Sequence, residues 1–154
     1  MPRISELALF ASSEQNTLAV KQHCESPAQF PAFIGSSFRQ LGEYLSELGE
    51  LMTDIPYVAY DQKPGGGFIV KAGFTVLRPL PGKGDIIPGV IPEGKAVMCM
   101  YLGPYEDMEP TYMEIQAWCE ARGLRQQGGM YEFYYNGPDT PPDTCLTKML
   151  IPVE

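Results

Sequence analysis

Histidine is nearly absent from this chain and cysteine is sparse. His23 stands alone, and Cys24, Cys99, Cys119 and Cys145 form no Cys-x-x-Cys pair. A structural zinc site needs clustered thiolate and imidazole ligands, so this spacing argues against one. Four scattered thiols in 154 residues do not make a disulfide framework either, and reduced, buried thiols are expected. No stretch approaches the ~20 apolar residues that a helix needs to cross a bilayer. The N-terminus lacks a basic region followed by an apolar one, so a cytoplasmic location is expected. Cationic charge is also short: 11 Lys and Arg against 19 Asp and Glu leave a net charge of -8. That argues against direct nucleic acid binding and against anionic membranes, both of which need a cationic face. An acidic field gathers cations, although it serves solubility equally well. Two catalytic signatures are missing as well. Gly65-Gly66-Gly67 leads into a strand and does not open a helix as a phosphate loop would. There is no Gly-x-Ser-x-Gly elbow, and His23 has no evident nucleophile partner. No metal and no cofactor are expected.

What is present is globular: 44% of the residues are apolar, and the length suits one domain with its own core. Residues 4–10 alternate in part and suit an edge strand or an ordered tail. Thr17 to His23 reads as a strand. Ile34, Phe38, Leu41, Leu45, Leu48 and Met52 recur three and four apart, one apolar stripe on a helix that must end before Pro56. Tyr57 to Asp61 and Phe68 to Leu77 read as strands around a glycine-rich turn, with a bulge expected at Gly73. Arg78 to Gly94, rich in proline and glycine, is the longest irregular stretch and reads as a crossover. The order then repeats. Lys95 to Leu102 is a strand, and Tyr105, Met108, Tyr112, Ile115 and Cys119 form a second helical stripe. Tyr131 to Tyr135 and Cys145 to Val153 are strands.

The order strand–helix–strand–strand, stated twice, predicts an α+β fold: tandem repeats with pseudo-twofold symmetry and an antiparallel sheet with two helices over it. One domain over 1–154 is expected, with repeat one at about 17–77, a linker at 78–94 and repeat two at about 95–153. A groove between the repeats is where a small ligand would bind.

The second half carries a resemblance. Its marks are the strand ending in Gly103-Pro104-Tyr105, Trp118 late in the helix, the Tyr131-Glu132-x-Tyr134 strand, the Asn136 to Asp139 turn, and Thr147 with Ile151-Pro152 in the last strand. Together they resemble the GyrI-like small-molecule-binding domain, which includes the effector-binding modules of AraC-type and MerR-type multidrug-sensing regulators and also stand-alone proteins. The first half matches only in pattern and lacks the Gly-Pro-Tyr. The resemblance implies a pocket whose buried glutamate and aromatic rings hold lipophilic cations, and the glutamate falls on Glu132.

In an alternating strand Met130, Glu132 and Tyr134 share one face, and apolar residues occupy both faces. A carboxylate buried there is costly unless something pairs with it. From the residues alone, the ordinary account is an internal ion pair with Lys71 or Lys148, or an exposed edge. Aligning the halves sets Tyr60 opposite Tyr134, and rings around a carboxylate suit a delocalised cation, each contact adding ~0.5–2 kcal/mol. Both tyrosines suit a core role nearly as well. Trp118 adjoins the helix stripe, so packing is its first role and ligand stacking its second. Tyr105 and Tyr112 are candidates to line the groove. Met98, Met100, Met108 and Met113 cluster in the second half, where core filling is the simpler account.

Three functions follow. The first is a stand-alone sensor or sequestering protein for small cationic or lipophilic molecules, with Glu132, Tyr134, Tyr60, Trp118, Tyr105 and Tyr112 as ligand-binding residues. All 154 residues are taken up by that unit, which leaves no room for a helix-turn-helix. The second is a hydrolase of reactive electrophiles, with Glu132 as general base and Tyr60 or Tyr134 as acid or donor. The third, which the family name suggests, is a protein that inhibits DNA gyrase by direct contact.

Overall fold

The computed structural model describes residues 2–154, which form eight antiparallel strands and two α-helices. They group into two compact units: Ser13–Glu93, and the N-terminal segment through Ser12 together with Gly94–Glu154. The strands of the first unit are β2 (Gln15–Cys24), β3 (Tyr57–Gln62), β4 (Phe68–Val76) and β5 (Ile87–Ile91), in the order β3-β4-β2-β5. Those of the second are β1 (Ala8–Ser12), β6 (Gly94–Leu102), β7 (Met130–Tyr134) and β8 (Leu146–Val153), in the order β1-β6-β8-β7. Each unit carries one α-helix. Among the described residues, no helix is long and apolar enough to cross a membrane.

In the first unit, α1 (Phe30–Leu48) lays Phe33, Ser37, Leu41, Tyr44 and Leu45 inward. This corrects the apolar stripe, because Ile34, Phe38 and Leu48 flank that face, half-buried. Apolar spacing gives no weight to Ser37 or to Tyr44, whose hydroxyl donates to the Pro81 carbonyl at 2.8 Å. Gly49 ends the helix in a left-handed conformation, φ 71°, and its N–H closes on the Leu45 and Ser46 carbonyls. Met52 therefore lies beyond the helix, in a bridge to Val76.

Two further expectations give way here. Residues 78–94 are not wholly irregular: β5 pairs with β2, and Leu80, Ile86 and Ile91 are buried. Pro88 is tolerated because β5 is an outer strand. Nor is Gly73 a bulge, since the registers run through it unbroken, Ala19 on one side and Tyr57 on the other. It makes room for a ring: a Cβ there would sit 2.6 Å from Tyr57, whose hydroxyl lies 2.8 Å from Thr17 Oγ1.

In the second unit, Tyr105–Asp107 forms a 3-10 turn ahead of α2 (Glu109–Ala121), with Pro110 in the first turn, where its missing N–H costs nothing. Met108, Ile115 and Cys119 pack onto Val97, Cys99, Tyr101, Met149, Ile151 and Val153. Each large apolar side chain so buried contributes ~1.5–3 kcal/mol. The second predicted stripe is also corrected. Tyr105 lies outside the helix, Tyr112 is half-buried, and Thr111 is fully buried in its place. The N-terminal segment runs beside β6, with Ile4 donating to the Met100 carbonyl at 2.9 Å and Arg3 reaching Glu114 of α2 at 3.2 Å.

Candidate functional site

Glu132 sits near the middle of β7, opposite Met149 of β8, on the face that meets α2. Two local devices shape its surroundings. Gly103 takes φ 143°, open to glycine but rare for other residues, and turns the chain so that Tyr105 leaves β6 toward the site. The Pro104 carbonyl then accepts the Tyr101 hydroxyl at 2.7 Å. On the other side, Asn136 Oδ1 accepts the Leu146 N–H at 2.6 Å, which ties the turn after β7 to the start of β8.

The carboxylate is 7% exposed and accepts a hydrogen bond at each oxygen. Tyr134 donates to Oε1 at 2.7 Å, and Tyr112, reaching over from α2, donates to Oε2. The internal ion pair does not form. Lys148 lies on the opposite face of the strand with its Nζ 4.2 Å from the Phe133 ring centroid, and the ion pairs among the described residues leave Glu132 out. Burial raises the Glu132 carboxyl above the usual carboxylate range, and the Tyr112 and Tyr134 hydrogen bonds only partly oppose that. Tyr105 is pushed up to about 12, first by desolvation and then by Cys145 and Glu132.

The sequence candidates fall on both units. Tyr105, Tyr112 and Tyr134 gather at Glu132, and the Tyr105 ring stands edge-on to Tyr134 with centroids 5.3 Å apart. Trp118 lies half-buried against the core, and the Arg122 guanidinium is 3.8 Å from its ring centroid. Tyr60 belongs to the other unit, on β3, where its ring packs 5.1 Å from that of Phe30.

Apolar periodicity gives no signal for two buried hydroxyls. Thr147, opposite Tyr134 in β8, and Thr111 in α2 are fully buried, and neither Oγ1 finds a protein partner. The alternation of Thr147, Met149 and Ile151 was the available signal for the first. Beside α2 runs a cavity of about 270 Å³, walled by Tyr112 with Met113, Gln116, Gln126 and Met130 and floored by Ile115 and Ile151. Met130 lies one step along the same face of β7 as Glu132, so the cavity ends close to the carboxylate. The arrangement holds one buried carboxyl group between two phenol donors, beside a cavity that one of those phenols walls.

Known proteins repeat this architecture. The sequence profile of the GyrI-like small molecule binding domain matches residues 13–154. The EcmrR C-terminal domain superposes with a TM-score of 0.82 at 20% identity, covering 98% of each chain. In a complex of EcmrR with DNA the values are 0.81 and 21%, and this chain spans 57% of the EcmrR chain. A hydrolase from Listeria innocua gives 0.74 at 16% identity, covering 97% of this chain and 92% of that one. SAV2435, solved bound to tetraphenylphosphonium, gives 0.65 at 12% identity, with 97% and 94% covered. At these identities the likeness is one of fold. No curated protein matches the chain by sequence.

Proposed function

This chain belongs to the GyrI-like small molecule binding domain family, and from that premise we propose that its ligands are small lipophilic cations, bound for sensing or sequestration. Glu132 is the countercharge, and Tyr105, Tyr112 and Tyr134 are the aromatic surround. The observation that carries this reading is the buried carboxylate hydrogen-bonded by two phenols and paired with no lysine or arginine. Desolvating a carboxylate is costly, and a ligand cation offsets that cost where water no longer reaches. Ring faces add ~0.5–2 kcal/mol for each cation contact. The net charge of -8 draws cations toward the protein before they meet the site. SAV2435, which shares the fold, was solved with a lipophilic cation.

Tetraphenylphosphonium is the probe. Calorimetry with the whole chain should show binding, and Glu132→Gln should weaken it about 100-fold, the ~3 kcal/mol expected when a buried charge loses its partner. Unchanged affinity in that variant would remove the carboxylate from the reading.

One observation favours a second reading, hydrolysis. A carboxyl raised by burial, beside phenol donors, is equipped as a general base, and a Listeria innocua hydrolase shares the fold. Glu132-dependent consumption of an electrophilic ester or epoxide would support it.

A further inference from the structure

We propose that Tyr112 is a latch: its phenol covers Glu132 Oε2 while the site is empty, and an incoming cation displaces it while Tyr134 stays in place. The proposal rests on the reading of Glu132 as the countercharge. Both carboxylate oxygens carry a phenol hydrogen bond, so a ligand that needs the charge must displace a donor or share an oxygen with one.

Geometry selects which donor yields. Tyr134 lies two residues from Glu132 on the same strand, its backbone is in register with Thr147, and its ring is edge-on to Tyr105. Its hydroxyl is placed by the sheet itself. Tyr112 comes from the helix, is half-buried, and forms a wall of the 270 Å³ cavity. Swinging its ring about χ1 joins that cavity to the carboxylate, whose neighbour on the strand face, Met130, already lines it. The cavity alone falls just short of the ~300–1,000 Å³ of ordinary ligand sites, and opening the wall extends it.

A hydrogen bond to a charged group contributes ~1.5–3 kcal/mol net, so displacing one lowers ligand affinity roughly 10- to 100-fold. Tyr112→Phe keeps the ring and its packing but removes the donor. Tetraphenylphosphonium should then bind at least ~10-fold more tightly than to the wild type, measured well above the pH midpoint of binding. Tyr134→Phe should bind more weakly. The midpoint itself should move upward in Tyr112→Phe, because a carboxyl with one donor fewer keeps its proton to higher pH. A purely structural tyrosine would not move that midpoint. Tyr112→Leu, which removes both ring and donor, serves as the second variant should the first not fold; a smaller gain is expected, because the ring's own contact with the cation is lost too, with the same upward move of the midpoint. If the wild type binds through Glu132 and both Tyr112 variants bind equally or less well, the latch is wrong and the cation reading survives. If neither the wild type nor the variants bind the ion, both fall.

Discussion

A carboxyl whose pKa burial raises in the folded chain gives Glu132 two opposed effects. Its folded pKa lies above the unfolded value, so its contribution to stability is fully present below the unfolded pKa and is lost as pH rises through the folded one. Glu132→Gln has no such loss. Its stability in urea should therefore overtake that of the wild type between acid and neutral pH, even as cation binding disappears. Parallel pH profiles would contradict this. Thr147 makes a second case. Its buried hydroxyl has no protein partner, and valine matches its shape without the polar atom. Thr147→Val should raise unfolding stability by about 1 kcal/mol in the same titration, and a loss of that size would show the hydroxyl to be satisfied in solution.

Among the elements, two glycines make opposite forecasts. A Cβ on Gly73 meets the Tyr57 ring at 2.6 Å, so Gly73→Ala should cost ~1–3 kcal/mol of stability. Gly42 lies on the open side of α1 with nothing within 4 Å, and alanine there should add ~0.5–1 kcal/mol. Thermal melts of the two variants should move in opposite directions. These cases also mark what the sequence made legible. Strand edges came out well because alternation is a local signal, whereas both helices are shorter than their apolar stripes, α1 stopping at Gly49 ahead of Met52 and α2 starting after Tyr105. Glu132 stood out as a lone carboxylate in a strand apolar on both faces. The buried faces of the helices came out rotated, since Ser37, Tyr44 and Thr111 are polar by name and buried by context. β5 was hidden by Pro88, which an outer strand admits. The bond from Tyr112 to Glu132 joins residues 20 apart on different elements, and no periodicity in either one encodes it.

At the scale of the molecule, the family match begins at residue 13, yet the residues before it are built into a sheet. β1 covers the outer side of β6, where Lys95 is the one charged side chain in nine residues. Removing residues 1–12 would leave that strand as an open apolar edge, a template for pairing with other chains. The shortened protein should scatter light at concentrations where the full chain stays clear, and it should melt earlier. Equal clarity and equal melting would show that β1 contributes nothing to the edge.

That same strand sets an order of events at the ribosome. Residues 13–93 are contiguous, so one unit has all its pieces once they have emerged. The other holds its first strand from the outset and must wait for β6, more than 80 residues downstream, before that strand has anywhere to dock. Contacts so far apart along the chain close slowly. The half that carries the carboxylate is therefore completed after the other during translation, and Glu132 meets the strand opposite it only once β8 has emerged.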